Sequence, residues 1–417
     1  MSLELISKRN VIDLIARVGG VSNTFQVEVS EDVCFGEKEW INIGAMTLYP
    51  GDVGPDTDAY FDISCAVQLG GFEWRIPTLD ELNMNLVEVL DRITLLGRGG
   101  NNRLNVLQRA NIQKIFIQGL QDTMRRSLLL WPSFDMESIP TMPPRRPITI
   151  VPDTSAVSQG ALDFVARFFA PWARIKVPAI VHMEIINSAD NYFKARRGSR
   201  GGHGYRVAAL KEHILSQGSQ RTLLRLEFQP DMEIDRGDLG ADPLRGIVVQ
   251  TSDPEDKALG LQEIVRSFAD RLIVETARRF ANQVRPDHPL ALLTSDQGMA
   301  RMALAEGMGV LFFQARSSPI PWGRTLTGSL YHPFDRNELF TLSLADLLWE
   351  LAVSFGLLRI RNERTGAALT LWGIGGSDEV TWQPSHVKDD LLWSESIAEQ
   401  PGAGDNTVPA SPSEVVP

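Results

Sequence analysis

The chain reads as an α/β protein: a central parallel sheet sandwiched by helices over residues 148–317, with an N-terminal α+β unit before it and a C-terminal helix plus β-hairpin appendage after it. Three observations lead there. Short continuous apolar runs, ITIVP, RIKVP, LALLTS and VLFFQ, alternate with helical periods in the middle of the chain, as parallel strands buried on both faces require. A stretch just before them, 131–147, carries Pro132, Pro140, Pro143, Pro144 and Pro147, which suit neither a helix interior nor a central strand. At 417 residues the chain also exceeds the usual size of a single core, so two or three units are expected.

In chain order, residues 1–130 show helical periods at 3–17, 79–96 and 103–120, with strand-like TFQVEV and WINIGAMTLY between them. The acids of GDVGPDTDAYFD at 51–62 lack the glycine and glutamate spacing of a calcium loop and read as a solvated turn-rich segment. Residues 131–147 read as a linker. In 148–317 the helices between the apolar runs begin near Ser155, Pro178, Asp270 and Gln297, while LLRLEF and GIVVQT look like further strands. Within 318–393, FTLSLADLLWELAVSF has the period of an amphipathic helix, and LLRIRN with ALTLWGI flanks the turn ERTG as a hairpin would. This appendage is expected to pack on the 148–317 unit. Residues 394–417 hold four prolines and no Lys or Arg, and disorder is expected there.

Composition excludes several classes. With 43% hydrophobic and 22% charged residues the chain should bury a core, unlike a disordered protein. Cys34 and Cys65 form no CxxC pair, so neither a disulfide scaffold nor a thiolate zinc site is supported. No apolar run reaches the roughly 18–20 residues that span a membrane, and the first twenty residues lack a signal-peptide pattern. A cytoplasmic protein without membrane contact is the expectation. The net charge of −11 argues against a broad duplex-gripping surface. Its distribution is uneven, for 147–317 holds 21 Lys and Arg against 20 Asp and Glu, whereas both flanks are acidic. A middle unit whose acids were partly neutralised by metal would suit a polyanionic substrate.

Four acids stand where carboxylates are hard to place. Asp153 ends ITIVP and opens a helix at DTS, either as an N-cap or as a ligand. Glu184, in VPAIVHMEIINSA, has Val181 and Ile180 at i−3 and i−4, so it shares a face with inward-packing residues and needs a cation or a salt bridge. Asp270 has Ile273, Val274 and Ala277 at i+3, i+4 and i+7, again on an apolar face, with capping as the alternative. Asp296 ends LALLTS and precedes a helix. In open α/β sheets ligands collect beyond the carboxyl ends of strands, where Asp153 and Asp296 would both stand. Clustered carboxylates are tolerable with a cation, and hard oxygen ligands suit Mg²⁺ or Mn²⁺. Such an ion activates water and stabilises an in-line displacement at phosphorus. Thr154, Ser155, Thr294 and Ser295 could orient these acids by hydrogen bonds, with capping an alternative for the first two. The segment KARRGSRGGHGYR at 194–206 presents Arg196, Arg197, Arg200, Tyr205 and Arg206 on a glycine-rich stretch, either as a solvated loop or as a grip on phosphates and a base. His182 reads as a core or surface histidine rather than a ligand.

VPDTSAV, VPAIVHMEI, DRLIVETA and LLTSDQGMARMALAEGMGV, in that order, resemble the PIN-domain family of metal-dependent nucleases over about 148–315. The resemblance implies the sheet described above and the convergence of Asp153, Glu184, Asp270 and Asp296 on one or two Mg²⁺ or Mn²⁺ ions as catalytic and metal-binding residues. It also implies an endoribonuclease, with a structure-selective DNA nuclease or a catalytically silent RNA- or protein-binding module as alternatives. RNA is the implied substrate, DNA the second choice, and a homo-oligomer or regulatory protein partner is left open. The 86 positions from Glu184 to Asp270 exceed what a compact member needs.

Overall fold

The computed structural model describes residues 4–7, 15, 24–30, 35, 39–50, 70–96, 105–134, 147–169, 172–185, 188, 203–226, 232–234, 269–282, 289–314, 320–327, 329–331, 339–342, 344–373 and 390–396. From the N-terminus the strands are β1 (Glu4–Ser7), β2 (Thr24–Ser30), β3 (Ile41–Pro50), β4 (Gly70–Arg75), β5 (Ser133–Phe134), β6 (Ile148–Pro152), β7 (Ala173–Val177) and β8 (Met232–Ile234). They continue as β9 (Leu290–Thr294), β10 (Gly309–Gln314), β11 (Thr325–Thr327), β12 (Ser329–Tyr331), β13 (Leu339–Thr341), β14 (Leu357–Asn362), β15 (Ala368–Trp372) and β16 (Asp390–Ser396). The helices are α1 (Leu79–Leu96), α2 (Val106–Arg126), α3 (Thr154–Ser158), α4 (Ala161–Phe168), α5 (179–185), α6 (His203–Leu226), α7 (269–282), α8 (Gln297–Ala305) and α9 (Leu344–Phe355). No helix among the described residues is long and apolar enough to cross a membrane.

Among the described residues the fold is mixed α/β, with an eight-stranded antiparallel sheet, a six-stranded mixed sheet and a two-stranded antiparallel pair, β12–β13. The antiparallel sheet runs β1-β16-β15-β14-β2-β3-β4-β11 and so unites both ends of the chain. Its inward residues include Phe25, Val27, Val29, Ile41, Ile43 and Trp74. A bulge sits between β2 and β3, where the register passes from Val27↔Gly44 to Glu28↔Asn42 and leaves Ile43 extra. The indole N–H of Trp74 donates to the Ile43 carbonyl at 3.3 Å, satisfying the displaced backbone. Gly44 has φ +144°, and a Cβ there would lie 2.4 Å from the Arg75 carbonyl, so only glycine fits. Across the sheet Glu28 accepts from Arg359 at 2.6 Å and Arg361 at 3.0 Å.

The second sheet runs β5-β10-β9-β6-β7-β8. Its β6–β7, β6–β9, β9–β10 and β7–β8 pairs are parallel, and β5 is antiparallel to β10. It is therefore a mixed sheet rather than the wholly parallel one expected. Every residue of β6 and β9 is buried, which is why these strands are written as unbroken apolar runs.

Several expectations need correction. The apolar spacing at 3–17 does not make a helix at its start, for Glu4–Ser7 pairs with Trp393–Asp390. A four-residue window cannot separate a period of 3.6 from one of 2, and the deciding partner lies at the other end of the chain. The first four residues of LLRLEF are helical and not a strand, since α6 runs through Leu226 with Leu210, Ile214 and Leu223 on its buried face; the last two lie outside the described residues. The proline-rich segment begins with β5, anchored by Phe134 against Phe164 and Phe313. Ser394–Ser396, placed in the tail, are the last residues of β16, paired with β15. The expected hairpin β14–β15 forms, but β14 pairs with β2 of the N-terminal segment while α9 contacts α6. The acidic segment 51–62, GIVVQT and residues 397–417 lie outside the described residues.

Candidate functional site

Asp153 and Asp296 stand at the C-terminal ends of the adjacent parallel strands β6 and β9, each followed at once by a helix. Both cap those helices: Asp153 Oδ1 accepts from Ala156 N at 2.7 Å, and Asp296 Oδ1 accepts from Met299 N at 2.9 Å. The capping alternative is thus realised in both. Capping engages one oxygen of each carboxylate. At Asp153 the second oxygen, Oδ2, accepts from Thr294 Oγ1 at 2.6 Å and from Ser155 Oγ at 2.9 Å.

The four hydroxyl residues named from the sequence all take part. Thr294 Oγ1 donates to Asp153 and accepts from Asp296 N at 2.9 Å, joining the two strand-end acids through one buried hydroxyl. Ser155 Oγ donates to Asp153 and accepts from Ser295 N at 3.1 Å. Ser295 Oγ lies 2.9 Å from Ser155 Oγ and 3.0 Å from Gln159 Oε1, and is placed to donate to either. Thr154 Oγ1 donates to Glu184 Oε2. Gln159 has no counterpart among the residues singled out in the sequence, because nothing marks a glutamine one turn after DTS as facing the next strand end.

Electrostatics bring the four acids into one group. Asp153, 2% exposed, has its carboxyl pushed up to about 6 by burial, opposed by its hydrogen bonds and assisted by the charge of Asp296. Glu184 is raised by burial, opposed by Thr154, and raised further by Asp270 and Asp153. Asp270 is raised by partial desolvation and then by Asp296. The couplings Asp153–Asp296, Asp296–Asp270, Asp270–Glu184 and Glu184–Asp153 close a ring. Farther along, Arg278 Nη1 of α7 stands 3.9 Å from Oε2 of Glu306, the residue that follows α8.

The burial of the acids departs from the sequence expectation at Asp270. Asp270 is exposed although Ile273, Val274 and Ala277 of its own face are buried. Asp153, which the sequence leaves open between a cap and a ligand, is the most deeply buried. Glu184 is half-buried beside buried Ile180 and Val181. Among the described residues no group of three or more His, Cys, Asp or Glu side chains is arranged to hold a metal ion. Asp153, Glu184 and Asp296 each accept hydrogen bonds from groups of this chain. The donor set is nonetheless wholly hard oxygen, with one carboxylate, Asp153, buried, and fits Mg²⁺ or Mn²⁺ in kind.

Of the basic segment, Arg196, Arg197 and Arg200 lie outside the described residues. Tyr205 and Arg206 belong to the first turn of α6 rather than to a glycine-rich loop. The glycines end at 204, and the Ala- and Leu-containing sequence that follows favours a helix.

No protein-family model matches the chain, and no curated protein matches it. Among solved structures it is similar to a domain of a functionally unknown protein from Methanocaldococcus jannaschii DSM 2661, at 19% identity and a TM-score of 0.24, over 42% of this chain and 96% of that one. A likeness at that level carries no argument about fold or activity.

Proposed function

We propose that the chain is a metal-dependent endoribonuclease of the PIN-like kind, in which Asp153, Glu184, Asp270 and Asp296 hold Mg²⁺ or Mn²⁺ and RNA phosphodiesters are hydrolysed by water. The observation that carries this reading is the placement of Asp153 and Asp296 at the carboxyl ends of adjacent parallel strands, joined through the Thr294 hydroxyl, with Glu184 held by Thr154 of the helix that Asp153 opens. Carboxylates within reach of one another's charge, one of them desolvated, are costly to ionise, and a divalent cation among them offsets that cost. The parallel run β8-β7-β6-β9-β10, with acids at the carboxyl ends of β6 and β9, supports the PIN-like reading of the sheet.

When bound, the ion supplies an activated water and neutralises charge at the phosphate. The chain's own residues do the positioning. Thr294 and Ser155 fix the second oxygen of Asp153, and Thr294 holds the Asp296 backbone in register with it. Thr154 orients Glu184. Exposed Asp270 and Asp296 leave the ring open to solvent on one side, where a phosphodiester can approach.

A second reading, a catalytically silent PIN-like module that binds RNA or a protein, is favoured by the capping bonds of Asp153 and Asp296. Asparagine caps helices as well as aspartate, so Asp296→Asn keeps the cap and removes a charged metal ligand. Single-stranded RNA and branched DNA are incubated with the purified chain in Mn²⁺, in Mg²⁺ and in EDTA. The proposal expects metal-dependent RNA cleavage that Asp296→Asn abolishes. Equal cleavage by wild type and variant overturns it, faster cutting of branched DNA shifts it to a DNA nuclease, and metal-free RNA binding without cleavage gives the silent module.

A further inference from the structure

We propose that Arg126 is a positioning residue for Asp153: its guanidinium, held by α9, clamps the C-terminal end of α3, the five-residue helix that Asp153 opens. The part that concerns metal rests on the functional reading above; the clamp itself does not.

Arg126 ends α2 and is fully buried. Nε donates to Glu350 Oε1 at 2.6 Å, Nη2 donates to Ser354 Oγ at 2.8 Å and Thr123 Oγ1 at 3.2 Å, and Nη1 donates to the Ser158 carbonyl. Every nitrogen of the fork is engaged. Ser158 closes α3, and its carbonyl is one of those a helix leaves without an internal partner. A cation there also complements the negative end of the helix dipole.

The slot is shaped for this side chain. A Cβ on Gly218 of α6 would lie 2.3 Å from Arg126 Nη2. Gly160, at φ +79° in the turn after α3, brings its backbone so close to α2 that a Cβ would meet Arg126 N at 2.6 Å. A five-residue helix does not hold itself together in water. α3 is tied at its N-terminal end by Asp153 and Ser155 and at its C-terminal end by Arg126, and Ser158 Oγ adds a bond back to the Ser155 carbonyl at 3.3 Å. The carboxylate of Asp153 is aimed by a helix whose far end is fixed from α2 and α9, both outside 148–317.

Glu350 also pairs with Arg221, which stacks on Trp349 at 4.0 Å. Replacing Arg126 therefore leaves no lone buried carboxylate. Arg126→Lys keeps the charge but cannot span three partners as a planar fork does, and Arg126→Met removes both. Hydrogen exchange is followed across the full-length chain, together with thermal unfolding and calorimetric titration with Mn²⁺. Arg126→Lys is expected to unfold within a few degrees of wild type. Its peptide covering 153–160 should nevertheless exchange about tenfold faster, while β6 and β9 keep their protection. Mn²⁺ affinity should fall about tenfold, as for loss of an outer-shell support. Arg126→Met should show the same pattern more strongly. Wild-type protection of 153–160 in both folded variants overturns the clamp. Lost protection with unchanged Mn²⁺ affinity overturns the positioning of Asp153. Wild-type protein that binds no Mn²⁺ overturns the functional reading instead, and is told apart because the exchange result needs no metal.

Discussion

Asp153→Asn should make the metal-free protein more stable at pH 8 and leave it nearly unchanged at pH 4.5. Burial raises the Asp153 carboxyl from its ordinary 3.8 to about 6. The folded state then binds this proton more tightly than the unfolded chain does. The stabilisation is complete below about pH 4 and is lost as pH rises through 6. At about 1.4 kcal/mol per pH unit, the gap of roughly two units amounts to about 3 kcal/mol lost by pH 8. Asparagine has nearly the same volume, cannot ionise, and can still accept from Ala156 N. It also removes one of the charges that raise Glu184, an effect of the same sign. The expected gain is about 1–3 kcal/mol at pH 8, allowing for an amide that replaces one accepting oxygen by a donor. Urea unfolding in EDTA at the two pH values measures it. Equal destabilisation at both pH values refutes the reasoning, since it would mean that Asp153 is a well-solvated cap and not a buried charge waiting for a counterion.

Thr294→Val should act in the opposite direction, costing about 1.5–3 kcal/mol at pH 8 in EDTA through loss of the 2.6 Å bond to ionised Asp153, and less at pH 4.5. Gly44→Ala should cost about 2–4 kcal/mol by thermal or chemical unfolding, since it combines a positive-φ backbone with a 2.4 Å clash against the Arg75 carbonyl. Glu350→Leu removes the carboxylate shared by buried Arg126 and Arg221, and should destabilise the chain by about 3–5 kcal/mol on the same measurement.

How much of this was legible follows from what each element needs. β6, β9 and β10 could be read because strands buried in a sheet interior write their burial as continuous apolar runs. The hairpin of β14 and β15 could be read because its turn is local. The antiparallel sheet could not be assembled from sequence, since pairs such as Val27↔Ile360 join residues more than three hundred positions apart. Among the site acids, helical spacing correctly found the buried face of α7 through Ile273, Val274 and Ala277. It missed that Asp270, near the described start of that helix, projects beyond the core. Asp153 looked like an ordinary cap, and its burial comes from the neighbouring strand, where Thr294 closes over it. Nothing in the sequence singles out Arg125 and Arg126, yet both are at most 1% exposed, and the partner that holds Arg126, Glu350, lies more than two hundred positions away.

The central claim is that four carboxylates share a divalent cation. Its most direct test is a crystal of the full chain soaked in Mn²⁺ and measured at the manganese absorption edge. The account predicts an anomalous peak between Asp153, Glu184, Asp270 and Asp296, lost in Asp153→Asn crystals of the same form. A well-diffracting soak with no peak among these four acids, or with manganese bound only elsewhere, would contradict it.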